Sequence, residues 1–109
     1  MLVELDVFSG LPNPRWRLDE RHHRHLLKLQ DQLSAAPAAP DPPQLGYRGF
    51  VCSDASGTRR VYMGHVSTPG GALDDPSFSL EHFLLDHMPP EFASMRGRIA
   101  ALLGPSRSR

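Results

Sequence analysis

The chain has 109 residues, room for one small domain, and its 12 basic and 12 acidic residues cancel to a formal net charge of zero, which argues against a whole-molecule nucleic-acid field. Its single cysteine, Cys52, excludes an internal disulfide and a thiolate zinc cluster within one chain. No apolar run approaches the ~20 residues of a membrane-spanning helix.

Met1 to Phe8 alternates like a strand and lacks a basic segment followed by an apolar one. No signal peptide is expected, and cytoplasmic residence is. In residues 2–8, Val3, Leu5 and Val7 point one way, while Glu4, Asp6 and Phe8 point the other, the pattern of a strand with one buried face. Glu4 and Asp6 share a side and could act as a carboxylate pair that shares a proton or holds a metal.

Ser9-Gly10-Leu11-Pro12-Asn13-Pro14 ends that strand. Gly10 opens backbone angles closed to other residues. Pro12 and Pro14 fix two φ angles, remove two amide donors and push Leu11 and Asn13 toward extended backbone. The product is a stiff loop in which the Asn13 amide is held in place. That amide is either a recognition group for a peptide backbone or small polar ligand, or a lock on the turn itself. Trp16 follows between Arg15 and Arg17 on a second strand-like beat. It is either a plug over the core or the floor of a groove beneath one of the arginines.

The run Phe8-Ser9-Gly10-Leu11-Pro12-Asn13-Pro14-Arg15-Trp16 resembles a motif near the start of a group of small, uncharacterised bacterial proteins. There it reads Phe-Ser-Gly-Arg-Pro-Asn-Pro, one variable residue, then Trp. Leu11 stands where that pattern has arginine, so a ligand role of the arginine would be lost or changed here. Residues 45–50, Leu-Gly-Tyr-Arg-Gly-Phe, look like a second shared block. The resemblance implies that the loop matters and carries no activity with it.

Residues 19–36 read as a first helix, capped by Asp19. Leu18, His22, Leu26, Leu29 and Leu33 form its apolar stripe, and Leu27 broadens it. Arg21, Arg24, Lys28 and Asp31 fall on the wet side, with His23 and His25 toward solvent. His22 and His25 are three apart and could share a metal with a third ligand from His65, His82 or His87. The spacing matches none of the sharp zinc motifs. Residues 34–44 hold four prolines and four alanines and read as a linker of polyproline character.

Residues 45–53 and 59–67 read as a hairpin about Gly57. Tyr47, Gly49 and Val51 are expected on one face, with Arg48, Phe50 and Cys52 on the other. Gly46, Gly49 and Gly64 weaken strands and require a bulge or a close backbone approach as their reason. Arg48 could receive a carboxylate or phosphate, and Cys52 with His65 is a conceivable nucleophile pair. Thr68-Pro69-Gly70-Gly71 lacks the lysine of a phosphate-binding loop and reads as a turn. Residues 72–76 read as loop. A second helix is expected over 80–88, capped by Ser79, and a third over 91–103, with residues 104–109 a frayed tail.

The expected fold is α+β: one domain with a small antiparallel sheet of three to four strands packed against two or three helices. Candidate binding residues are Asn13, Arg15, Trp16, Arg17, Tyr47 and Arg48; candidate catalytic residues are Cys52, Tyr62 and His65. The favoured function is a small intracellular binding or accessory module that recognises a protein or peptide partner through the Pro-Asn-Pro loop and Trp16. A homodimer through the C-terminal helices is a further expectation. The alternative is a small hydrolase or isomerase using His65 with Cys52 or the Glu4/Asp6 carboxylates. No cofactor is implied, and neither nucleic acid nor membrane is an expected partner.

Overall fold

The computed structural model describes residues 1–8 and 10–105. Ser9 of the predicted loop and residues 106–109 of the predicted tail lie outside them. Seven strands form one antiparallel sheet, more than the three to four expected. They are β1 (Leu2–Phe8), β2 (Arg15–Arg17), β3 (Ser34–Ala36), β4 (Gly46–Asp54), β5 (Gly57–Tyr62), β6 (His65–Thr68) and β7 (Gly71–Asp74). Their spatial order is β2-β1-β4-β5-β6-β7-β3. Three helices complete the fold: α1 (Glu20–Asp31), α2 (Ser79–Asp86) and α3 (Ala93–Leu103). No helix among the described residues is long and apolar enough to cross a membrane.

The extra strands arise where short elements lay inside segments read as something longer. The predicted first helix stops at Asp31, and Ser34–Ala36 pairs with β7 as an edge strand. The predicted strand over 59–67 is two strands, because Met63 and Gly64 make a two-residue turn with φ of 47° and 81°. Positive φ at both positions is what the favoured hairpin turn requires, and Asn-Gly is its usual signal. Residues 71–74, read mostly as loop, return along β6.

The Pro-rich segment has a geometric task that follows from the strand order. The chain reaches the far edge at β3 and must then come back to β4, beside β1. Four inter-strand steps cover about 19 Å. The nine residues 37–45 reach about 28 Å in polyproline conformation, enough without slack for a helix. The segment therefore links an edge strand to the sheet centre.

One face of the sheet carries the core. Val3, Leu5, Phe50, Cys52, Val61 and Val66 are fully buried, as are Leu26, Leu80 and Leu84 from the helices. Each such side chain contributes about 1.5–3 kcal/mol by leaving water. A bulge decides which residues of β4 join them. Leu5 opposes Phe50 while Val7 opposes Tyr47, so β4 has one residue more than β1 between those pairs. Tyr47 thereby turns to the same side as Phe50 and Cys52, which corrects the strict alternation expected. Gly49, with φ of 100°, occupies the bulge, and any Cβ there would collide with the Val61 carbonyl.

Asp19 caps α1 as expected, accepting the His22 N–H at 2.8 Å. Ser79 does not cap α2. Asp75, four residues earlier, accepts the Leu80 N–H at 2.9 Å and the Ser79 hydroxyl at 2.8 Å. The third helix begins at Ala93, after a 3-10 turn over Pro90–Phe92.

Candidate functional site

The Pro-Asn-Pro loop folds back on the strand it leaves. β2 is three residues long, so its ladder ends at the pair Glu4–Arg15. Beyond it the Pro14 carbonyl accepts the Leu5 N–H at 3.0 Å. The next amide on that edge, Val7 N–H, donates to Asn13 Oδ1 at 3.1 Å. The side chain thus supplies the acceptor for which the short ladder has no backbone group. Asn13 Nδ2 donates to Glu4 Oε2 at 2.7 Å, and Glu4 Oε1 pairs with Arg15 Nε at 3.2 Å. Asn13 is therefore a brace, the second of the two readings of its amide, and not an outward recognition group.

Trp16 is buried too, 8% exposed, between Phe50 and Phe92 at centroid distances of 6.3 and 6.1 Å. Its Nε1–H has no hydrogen-bond partner among the described residues. It is core rather than the floor of a groove. Arg17 is exposed on the edge strand.

The other candidates scatter. Tyr47 is buried, and its hydroxyl donates to Glu81 Oε2 at 2.5 Å. Burial, reinforced by the Glu81 charge, pushes its phenol far above the ordinary range. Arg48 Nε lies 3.9 Å from Asp6, and its carbonyl accepts from Arg60, whose guanidinium also binds Asp6 at 2.8 Å. Glu4 and Asp6 thus answer to different cations on opposite flanks of β1, and the proposed proton-sharing pair is not formed. Arg60 holds the shared Asp6 oxygen, and the Arg48 Nε–H has no hydrogen-bond partner among the described residues.

The nucleophile pair fails on geometry. Cys52 faces the core on β4, fully buried, and burial pushes its thiol up to about 12. Val66, next to His65, also faces the core, so the alternation of β6 turns His65 to the opposite face. Strand β5 stands between the two. His65 Nδ1 instead approaches Asp74 Oδ1 at 3.6 Å. The Tyr62 ring lies 5.6 Å from that of Tyr47.

A serine, an aspartate and a histidine do meet elsewhere. The Ser56 hydroxyl donates to Asp54 Oδ1 at 2.7 Å, and His23 Nε2 lies 2.9 Å from Asp54 Oδ2. The carboxylate sits in the middle, so the imidazole cannot take the hydroxyl proton as a general base must. Arg59, 4% exposed, closes the cluster on Asp54 at 3.2 Å. Burial raises the Asp54 pKa, but bonds from Ser56 and His23, with the Arg59 charge, outweigh it and hold the carboxyl far below its ordinary range. His23, expected in solvent, ties α1 to the hairpin.

The helix histidines separate accordingly. His22 lies against His87, centroids 4.2 Å apart, and His25 lies on Phe83 at 4.9 Å. Among the described residues no three His, Cys, Asp or Glu side chains gather as a metal site.

Two features were missed from sequence. Glu81, fully buried, accepts from Tyr47, from Met63 N–H at 2.9 Å and from Gly64 N–H at 2.7 Å. Its signal was an acid between Leu80 and the apolar run of Phe83, Leu84 and Leu85. The second is a rim. Phe8 opposes Gly46, so the loop bearing Leu11 and the segment bearing Leu45 lie at the same end of β1 and β4. Leu45 shares a concavity of about 250 Å³ with Pro43, Tyr47, Tyr62, Met63 and Leu102. Leu11, Leu45, Leu102 and Met63 are 72, 69, 60 and 37% exposed. They are four of the five large apolar side chains left exposed among the described residues, and Leu2 is the fifth. Exposed leucines scatter on most surfaces, whereas a contiguous group marks a docking face.

Comparison of the chain with models of protein families, with curated proteins and with solved structures found no match.

Proposed function

We propose that this chain is a small intracellular binding module whose docking surface is the apolar rim of Leu11, Leu45, Met63 and Leu102. The observation that supports this reading is the concavity that exposed Leu45, Met63 and Leu102 share, with Leu11 carried on the loop at the same end of β1 and β4. The Pro-Asn-Pro loop belongs to the surface through Leu11 at its tip, with Asn13 and Trp16 behind it as support. The partner is a protein or peptide that offers an apolar side chain to the concavity between Tyr62, Met63 and Leu102. A hydrolytic role has less support, because Cys52, His65 and the two β1 carboxylates do not converge. The buried, unpaired thiol fits a reducing compartment.

The test compares Leu45→Glu and Leu102→Glu with Leu2→Glu, which places the same charge on a leucine at the other end of β1. Capture of the partner from the native host is expected to fail for the two rim variants and to persist for Leu2→Glu. Leu11→Ser measures the share of the loop. Light scattering shows whether a second copy is the occupant: a homodimer through Leu102 of α3 predicts a mass that halves in Leu102→Glu. Equal capture by wild type and both rim variants, with the wild type monomeric, refutes the rim.

A further inference from the structure

A second surface, on the helix side, has the opposite chemistry. On α1, Arg21, Arg24 and Lys28 recur at spacings of three and four and so form one stripe. Beside it lie His22 and His25, and across from them Phe83 and His87 of α2. These seven side chains line a depression of about 620 Å³, and none of them is acidic. That is the size of a small-molecule site.

Three cations of the sheet are answered closely by carboxylates, Arg15 by Glu4, Arg60 by Asp6 and Arg59 by Asp54, while Arg17 on the edge strand has no ion pair among the described residues. In the depression, Arg24 has only exposed Glu20 at 3.8 Å. Arg21 and Lys28 have no ion pair among the described residues. In a chain of zero net charge, this is a local surplus of positive charge, offset in part by Asp19, on which Arg21 and His22 act, and by Glu20.

The histidines are oriented by their neighbours. His87 Nδ1 donates to the Phe83 carbonyl at 2.7 Å. His22 Nδ1 lies 3.0 Å from Asp19 Oδ2. With Nδ1 held by an oxygen in both rings, Nε2 is the atom left over for a ligand. The rings of His22, His87 and Phe83 meet in succession at tilts of 53° and 34°, centroids 4.2 and 4.3 Å apart, and His25 meets Phe83 edge-on at 64°. This supplies a ribbed aromatic wall beside the cationic stripe. Three neighbouring cations oppose a metal ion there and favour an anion.

We propose that this depression binds a small organic phosphate, its phosphate on Arg21, Arg24 and Lys28 and its ring against the imidazoles of His22, His25 and His87. Arginine offers paired donors to phosphate oxygens, and lysine adds a mobile point charge. This surface and the apolar rim share no residue, so either proposal can fail alone.

Calorimetric titration with AMP, inorganic phosphate and adenosine tests it, with histidine ring resonances followed in parallel. AMP is expected to saturate one site, to bind more tightly than phosphate, and to shift His22, His25 and His87. Adenosine is expected not to bind at the same concentrations. Arg21→Glu and Lys28→Glu, both on exposed positions, are each expected to weaken AMP by about tenfold or more. Arg98→Glu on α3 changes net charge equally and is expected to leave the affinity within about twofold. Adenosine binding as well as AMP, an equal loss in Arg98→Glu, or no saturation at millimolar AMP overturns the proposal. So does an oligonucleotide whose bound stoichiometry scales with its length, because that is a diffuse polyanion effect.

Discussion

Replacing Glu81 by glutamine tests how the rim is held from within. The Glu81 carboxylate is sealed from water, and its two oxygens accept three hydrogen bonds, from the Tyr47 hydroxyl and from the Met63 and Gly64 amides. Glutamine keeps the shape but offers one acceptor and one NH2 group. Its best placement keeps the carbonyl toward Tyr47 and Met63, which turns the NH2 toward the Gly64 N–H. Two donors then face each other in a dry site, and the surviving bonds lose their charge assistance. One unsatisfied buried donor costs about 1–3 kcal/mol, and bonds to a charged acceptor are about twice as strong as neutral ones. Relief of the buried charge offsets part of this, so the expected net loss is about 2 kcal/mol. For a domain of this size that lowers Tm by roughly 10 °C. Urea unfolding followed by the fluorescence of Trp16, the only tryptophan, measures the loss. Hydrogen exchange at Met63 and Gly64 locates it. A change below about 0.5 kcal/mol, the usual range of an indifferent surface substitution, with unaltered exchange at both amides, refutes the reading of Glu81 as the turn's anchor.

Asn13→Ala is expected to cost about 1–2 kcal/mol by leaving Val7 N–H without its acceptor, measured by urea unfolding, while partner capture through Leu45 and Leu102 persists. Native Cys52 is expected to resist an aromatic disulfide reagent at pH 8 and to react fully in denaturant, because burial pushes the thiol up to about 12; rapid labelling of the folded protein refutes this. Asp54 has a folded pKa depressed below its unfolded value of about 3.9, so its stabilisation is complete above that value and fades as pH falls from there. Asp54→Asn is expected to be less stable at neutral pH and to flatten the stability profile below about pH 4; parallel profiles for the two proteins contradict it. Tyr47→Phe is expected to cost less than Glu81→Gln, since two amides remain on the carboxylate, and a coupling near zero between the two substitutions in a double-mutant cycle rejects the shared network.

The elements readable from sequence were those with long periods. Leu26 and Leu29 repeat at helical spacing after the Asp19 cap, and the structure keeps both features, while Leu33 packs on the core from beyond the helix end. The alternation of Arg15, Trp16 and Arg17 announced β2, whereas the three-residue β3 is too short for periodicity to register. Ser34–Ala36 becomes a strand only because β7 has an edge to offer. Met63 hides the turn between β5 and β6, because a methionine at positive φ is costly on its own. The Glu81 carboxylate, on both turn amides, makes it tolerable from 18 residues away. The β4 bulge is equally invisible, since Gly49 signals an irregularity without saying which side chains change face. Of the residues chosen as site candidates, Asn13, Trp16 and Tyr47 were recognised as special for a reason that proved structural. The leucines of the rim were passed over because a leucine in a sequence reads first as core.

The two ends of the rim are stiffened by the same device. A carboxylate of β1, Glu4, holds the Asn13 amide behind Leu11, and a carboxylate of α2, Glu81, holds the turn amides behind Met63. Between them, Pro43 precedes Leu45 and restricts the approach of the chain to β4. A side chain displayed from restrained backbone loses less entropy when it is buried against a partner, typically about 0.5–1.5 kcal/mol per rotamer-rich group when that freedom must be given up. The shape of the loop is set by residues other than Leu11. Gly10 makes the turn with φ of 82°, Asn13 closes the edge of β1, and Trp16 anchors the return strand in the core. The tip side chain does none of this work, so exchanging arginine for leucine there alters what the loop can touch and leaves how it is held unchanged. On the proposed rim, that exchange turns a position suited to an anion into one suited to an apolar surface. Leu11→Arg is therefore the substitution that changes partner preference at the least expense of stability. It is expected to lower capture of an apolar partner while shifting the urea midpoint by no more than an exposed substitution does, about 0.5 kcal/mol in stability. A Leu11→Arg protein that captures its partner as well as wild type removes the loop tip from the contact surface and leaves Leu45, Met63 and Leu102 to form it.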